Sequence, residues 1–356
     1  MDNEMRLMKG NEAIGEAAIR AGCQAYFGYP ITPQNELTAY MASGMLSAGR
    51  VFIQAESEVS AVNMVYGAAS TGARAMTSSS SPGVSLKQEG ISYLCGADLP
   101  ALIVDVARAG PGLGGITPAQ GDYFQATRGG GHGDYHTIVL APKGVQEAAD
   151  LTYESFDISE KYMIPVLLLA DGLIGQMMEA VKFKPAVDIS KLPRKAWGAG
   201  HQAEMGREAN HISSMNLEPY SLEQEVLERE RKYDLVKREL CRYEEMGIDD
   251  ADIVLVAYGT SARVSMSAME TGRSRGLKIG LFRPITLWPF PYARLEALAA
   301  RPGRKFLSVE MSMGQMVEDV RLAVNGKAPV GHYGRVGGVI HNEEEVLAAA
   351  ERMLKA

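Results

Sequence analysis

Asn11-Glu-Ala-Ile-Gly-Glu-Ala-Ala-Ile-Arg-Ala21-Gly22, followed by Ala25-Tyr-Phe-Gly-Tyr29 and then by Val51-Phe-Ile-Gln54, is the stretch that decides the fold. Ile14, Ala17, Ala18 and Ala21 recur at helical spacing, with Gly22 placed as a stop, so a helix is predicted over residues 11–21. The two short apolar runs after it have the length and bounding residues of fully buried strands. The same kind of run returns at Arg74–Thr77, Ala101–Val106, Thr137–Ala141 and Ile164–Ala170. Val59, Val62, Val65 and Ala69 mark a further helix between two of them. Strands alternating with helices predict parallel pairing, right-handed crossovers and helices on both faces of the sheet. The expected fold is therefore α/β, with a doubly wound parallel-sheet domain over residues 1–181.

Beyond Lys182 the character changes. A Pro- and Gly-containing segment leads into the charge-laced run Ser221–Leu240, where Leu222, Val226, Leu235 and Leu240 fit one helical stripe only loosely. Residues 182–250 are expected to be a charged linker and helical insert, an exposed helix or a contact element for a partner. Strand candidates Ile253–Tyr258, Lys278–Phe282 and Phe306–Glu310 then predict a second, smaller α/β domain over residues 251–356, with its own core.

The 356 residues are 46% hydrophobic and 22% charged, a globular composition long enough for two or three domains. Thirty-six basic against 43 acidic residues leave a net charge of −7, and no basic block suits a nucleic-acid backbone. The acidic start, Met1-Asp2-Asn3-Glu4, carries neither a secretory signal nor a basic transit peptide. The longest apolar run, Met163–Ala170, is far below the ~20 residues of a spanning helix. The expected location is the cytoplasm, with no membrane partner. Cys23, Cys95 and Cys241 are too scattered for a local zinc or iron–sulfur site, so no metal is expected on this chain.

Three glycine-rich segments, Gly110–Gly115, Gly129–Gly133 and Gly334–Gly338, miss the dinucleotide and P-loop spacings and read as turns. His132 and His136 stand four apart in glycine-rich loop, where that spacing does not bring two imidazoles onto one helix face. The Ser78–Gly83 run lacks a nucleophile elbow and reads as a strand-to-helix turn. Glu58 opens a helix, where an acidic residue ordinarily complements the helix dipole. Arg108 follows a buried strand at the carboxyl edge of the sheet, where open α/β folds bind ligands.

Met8–Ala17, Gly28-Tyr-Pro-Ile-Thr-Pro33, Gln54-Ala-Glu-Ser-Glu58, Met76-Thr-Ser-Ser-Ser-Ser-Pro-Gly83 and Leu281–Phe290 carry a resemblance over nearly the whole chain. Together these segments resemble the alpha chain of the 2-oxoacid:ferredoxin oxidoreductases, nearest to the type acting on branched-chain 2-oxoacids such as 2-oxoisovalerate. The resemblance implies a pyrimidine-type domain for thiamine diphosphate, plus a smaller domain like the C-terminal one of transketolases. A partner beta chain would share the cofactor and hold its diphosphate and Mg²⁺, since this chain has neither a Gly-Asp-Gly segment nor an Asn-Asn pair. The [4Fe-4S] clusters would belong to a ferredoxin-like subunit, with a gamma subunit as a further candidate; coenzyme A and ferredoxin are the expected co-substrates.

By the same resemblance, Glu58 matches the carboxylate that faces the aminopyrimidine ring and is the expected catalytic residue. Thr32 and Arg108 match substrate-carboxylate contacts, and Pro30, Ile31, Glu58 and Ser81 match cofactor-binding positions. A guanidinium fork suits the planar anion of a 2-oxoacid, and a hydroxyl adds a neutral donor. The alternatives are 2-oxoglutarate as substrate, a transketolase-like carbon–carbon transferase subunit and a non-catalytic scaffold; loss of the carboxylate at 58 would have marked the last.

Overall fold

The computed structural model describes residues 5–200 and 204–355. The first half runs β1 (Arg6–Lys9), α1 (Gly10–Arg20), β2 (Ala25–Gly28), α2 (Asn35–Ser47), β3 (Val51–Gln54), α3 (Glu58–Ser70), β4 (Ala75–Ser79), α4 (Ser81–Gly96), β5 (Leu102–Ala107), α5 (Tyr123–Arg128), β6 (Ile138–Leu140), α6 (Val145–Tyr162), β7 (Val166–Asp171), α7 (Gly172–Gln176) and β8 (Met178–Val181). After a segment with little regular structure come α8 (Pro219–Glu239), β9 (Tyr243–Met246), β10 (Ile253–Val256), α9 (Gly259–Ser274), β11 (Ile279–Pro284), β12 (Thr286–Trp288), α10 (Tyr292–Ala299), β13 (Lys305–Glu310), α11 (Met316–Val324), β14 (Val330–Gly334) and α12 (Glu343–Lys355).

Helix α1 forms where the sequence places it. Ala13, Ile14, Ala17 and Ala18 are buried, and the Glu12 carboxylate accepts the Lys9 N–H at 3.1 Å. Gly22 takes φ +86°, the left-handed conformation that ends a helix most cheaply at glycine. The small residues Ala13 and Ala17 let α1 pack close to Val145 and Ala149 of α6.

The main sheet has the order β12-β6-β7-β5-β4-β2-β3, parallel throughout except for β12. This is the doubly wound sheet the alternating pattern implies. One detail differs from expectation: Val51–Gln54 is not buried. It is the edge strand, with Val51 48% and Ile53 41% exposed, because β2 is its sole pairing partner. Helix α2 was not legible as a separate element, although Leu37, Met41 and Met45 form its buried stripe at helical spacing.

The second sheet has the order β14-β13-β10-β11-β9, and β9 comes from within the 182–250 segment. Ile253 and Leu255 face a small core with α9 and α12, whereas Val254, Val256, Phe282 and Phe306 belong to the main core. The separate core expected for this half is thus separate on one face only. The reason is β12, which leaves the second half to join the first sheet beside β6 and carries Trp288 with it. Helix α8 is applied through Arg229, Tyr233 and Val236, and of the loose stripe Leu240 is buried just past its end while Leu222 and Leu235 stay exposed. His136 stacks on Trp288 at 4.4 Å and meets Tyr233 edge-on at 5.2 Å, so it packs the insert onto the first sheet, while His132 is exposed. Among the described residues no helix is long and apolar enough to cross a membrane.

Asp171 joins the two halves. Its buried carboxylate accepts the Leu173 and Ile174 N–H groups at the start of α7, and the Thr260 N–H and hydroxyl at 3.0 and 2.7 Å. Asp171→Ala strips four donors of their acceptor in a buried place. It is expected to lower stability by roughly 3 kcal/mol in chemical denaturation, with an exposed control such as Asp188→Ala near neutral.

Candidate active site

Because β2, β4 and β5 run parallel, their carboxyl ends lie side by side, and the segments leaving them converge there. These are the Tyr29–Gln34 loop, the start of α4 and the loop after Arg108; the start of α3 joins them. The Tyr29–Gln34 loop is pinned at its far end. The Pro33 carbonyl accepts from Asn11 Nδ2 at 2.7 Å and Gln176 Nε2 at 2.9 Å, and Gln34 Oε1 accepts the Ser78 hydroxyl at 2.7 Å. Pro30 is exposed, Ile31 and Thr32 are half-buried, and Thr32 Oγ1 accepts from Asn35 Nδ2 at 3.2 Å.

Glu58 is the first residue of α3, after Ser57, whose hydroxyl caps the Ser60 N–H at 3.2 Å. Its carboxylate is 5% exposed and accepts no hydrogen bond among the described residues. Gly83 makes room for it. A Cβ at 83 would lie 2.6 Å from Glu58 Oε1 and 2.0 Å from Ser79 Oγ. Glu56, by contrast, faces out and accepts the Ser60 hydroxyl.

Arg108 and Thr32 are brought together. One terminal guanidinium nitrogen donates to the Thr32 carbonyl at 2.9 Å, the other to the Leu113 carbonyl at 3.0 Å. Each keeps a second N–H, and Nε is buried without a partner. The fork is therefore already a clamp between two loops, with part of its donor set remaining. Ser81 is more committed than expected of a ligand contact. Its hydroxyl accepts the Arg108 N–H at 2.9 Å and bonds the Asp122 carboxylate, and its N–H donates to Asp105 at 3.1 Å.

Those two aspartates are the part of the site that sequence reasoning missed. Burial raises both carboxyls above their ordinary range, and in Asp105 the nearby charge of Asp122 adds to it, so the folded pair holds a proton more tightly than the unfolded chain does. The available signal was an aspartate at 105 within an otherwise apolar strand. Of the glycine-rich loops, Gly334–Gly338 closes over the neighbouring one: a Cβ on Gly338 would lie 1.6 Å from Thr117 Oγ1.

Residues 16–239 match the family model of the pyruvate flavodoxin/ferredoxin oxidoreductase thiamine diphosphate-binding domain. The chain belongs to this family. Residues 251–346 match the model of pyruvate:ferredoxin oxidoreductase core domain II. The chain is 49% identical over 342 residues to ketoisovalerate oxidoreductase subunit VorB of Methanothermobacter thermautotrophicus, covering 96% of each chain. It is 35% identical to 2-oxoglutarate synthase subunit KorA of Methanothermobacter marburgensis, covering 97% of this chain and 98% of that one. Among solved structures it resembles 2-oxoglutarate:ferredoxin oxidoreductase of Magnetococcus marinus, determined with 2-oxoglutarate, coenzyme A and succinyl-CoA bound. The TM-score is 0.85 at 26% identity, covering 99% of this chain and 66% of that chain. A split-gene transketolase in an inactive tetramer shares the fold, with a TM-score of 0.58 at 12% identity over 98% of both chains.

The residues present fit a thiamine diphosphate-binding domain. Glu58 is buried, unbonded and held beside a glycine. Near it the buried hydroxyls of Ser79 and Ser80 also lack partners.

The tightly held proton of the aspartates has a consequence for stability. The folded chain keeps a proton that unfolded Asp105, with its ordinary value of 3.8, gives up, so stability is greatest below about pH 4 as far as this pair is concerned and falls as pH rises. Asp105→Asn mimics the protonated form. Its stability relative to wild type should therefore climb between pH 4 and pH 8, measured by denaturant midpoints on the isolated chain.

Proposed function

We propose that this chain is the alpha subunit of a thiamine diphosphate-dependent 2-oxoacid:ferredoxin oxidoreductase acting on a branched-chain 2-oxoacid such as 2-oxoisovalerate. With coenzyme A the reaction yields an acyl-CoA, carbon dioxide and reduced ferredoxin. The observation that carries the reading is Glu58, a buried residue whose carboxylate accepts no hydrogen bond among the described residues, set in a thiamine diphosphate-binding family domain.

Thiamine diphosphate, when bound, supplies the carbon nucleophile that makes decarboxylation of a 2-oxoacid possible. Glu58 would hold a proton at the ring nitrogen of the bound pyrimidine. Gly83 keeps that carboxylate in reach, and Pro30 and Ile31 form the rim beside it. Arg108 offers its remaining N–H groups to the substrate carboxylate and Thr32 its hydroxyl, while Ser81 fixes the Arg108 backbone. The diphosphate and Mg²⁺ are assigned to a partner subunit because this chain has neither a Gly-Asp-Gly segment nor an Asn-Asn pair, and the iron–sulfur clusters likewise because no group of three or more His, Cys, Asp or Glu among the described residues could hold a metal. Tyr29, Ile53, Leu113 and Ile116 expose apolar area, which supports a partner surface there.

An apolar substrate tail fits the inventory of cations. Lys87 is fully buried and Arg128 is paired with Asp319 at 3.2 Å, so neither presents a free charge to a second carboxylate. Leaving that charge unpaired would cost several kcal/mol, whereas each buried CH₂ gains roughly 0.8 kcal/mol.

The test is a complex assembled with its natural partners and scored on a panel of 2-oxoacids. 2-Oxoisovalerate is expected to give a higher kcat/KM than 2-oxoglutarate; the reverse order removes the branched-chain assignment. Glu58→Gln should assemble yet lose roughly 10²-fold in turnover, with Glu56→Gln close to wild type. Arg108→Lys keeps the charge, loses the fork, and should raise KM for 2-oxoisovalerate and pyruvate alike.

A further inference from the structure

Lys87 lies in the second turn of α4, four residues after Gly83 and on the same face. Side chains on a helix lean toward its N-terminus, so Lys87 reaches back under the site, and its ammonium donates to the Ser78 carbonyl at 3.4 Å. That is its one hydrogen bond among the described residues, although the side chain is completely buried. A buried ammonium with a single long hydrogen bond is costly unless opposite charge is near. Glu58 of α3 and Asp105 of β5 are the charged groups that act on it, and Asp105 is in turn bonded to Asp122.

Lys87 and Arg108 are the cations that act on the three carboxyls gathered here, those of Glu58, Asp105 and Asp122. We propose that Lys87 is a positioning residue whose buried ammonium balances Glu58 against the Asp105–Asp122 pair, so that Glu58 meets the cofactor with fixed orientation and charge. This rests on the role given to Glu58 above, but the coupling itself is a property of the chain without cofactor.

Burial lowers the Lys87 ammonium from 10.5 to about 8, against the pull of Glu58 and Asp105. Between pH 8 and 10.5 the unfolded chain thus holds a proton that the folded chain has released, and by linkage folded stability rises with pH in that window. On the isolated chain, the denaturation midpoint of wild type should climb relative to Lys87→Met from pH 8 to 10.5. The stability effects of Lys87→Met and Glu58→Gln should be non-additive in a double-mutant cycle. In the assembled complex, Lys87→Met should lower kcat at least tenfold at pH 7. The deficit should shrink above pH 8, where wild type loses the same charge, and Lys87→Met should have no further effect in a Glu58→Gln background.

If Lys87→Met does not fold, the double variant Glu58→Gln/Lys87→Met should recover folding, because it removes both charges. A pH-independent stability difference, additive single effects, or a double variant no better folded than Lys87→Met would each overturn the proposal. Normal turnover in Glu58→Gln with the stability coupling intact would instead sink the catalytic reading and leave the Lys87 coupling standing.

Discussion

Glycine at position 83 lets α4 begin tight against Glu58 and Ser79. A side chain there would fall 2.0 Å from Ser79 Oγ and 2.6 Å from the Glu58 carboxylate. That close approach presses the N-terminus of one helix against the first residue of another and leaves a carboxylate enclosed between them. Everything polar nearby follows from the enclosure. Ions shut away from water must be matched, and the matching is done by Lys87, Arg108 and the proton held by the Asp105–Asp122 pair. Ser81 sits at the centre of that set, bonding Arg108, Asp105 and Asp122 at once.

The same crowding explains why Arg108 is a clamp. Its two terminal nitrogens hold the carbonyls of Thr32 and Leu113, so the loops that frame the substrate are held by the residue proposed to bind it. Substrate and loops would share one fork, and any change at Arg108 alters both loop position and anion affinity. Outside the fork the rim is apolar, and the edge strand β3 continues it with exposed Val51 and Ile53. This is the side on which a second chain would complete the cofactor site.

Much of this was legible in the sequence, and the gaps have physical causes. Period and punctuation located β2 to β7, β10, β11 and β13 to within a few residues, because buried parallel strands are short apolar runs that stand out from helical stripes, but not β9, β12, β14 or the β1–β8 pair. Local pattern could not show that Val51–Gln54 is an edge, since edge and centre differ only in what lies alongside. Nor could it show that β12 crosses from the second half into the first sheet, or that β9 completes the second sheet. Glu58, Thr32 and Arg108 were found by resemblance and by their places at strand ends. The aspartate pair escaped because the contact between Asp105 and Asp122 is a tertiary fact, visible only when residues 17 apart meet.

The central claim is that Glu58 acts on the pyrimidine of thiamine diphosphate, and exchange of the cofactor's C2 proton for deuterium reports on it without substrate, coenzyme A or ferredoxin. In the assembled complex, wild type should exchange that proton far faster than free cofactor does, while Glu58→Gln with cofactor still bound should fall by roughly 10² or more. Exchange in Glu58→Gln as fast as in wild type would contradict the account and leave Glu58 as a helix-terminus charge.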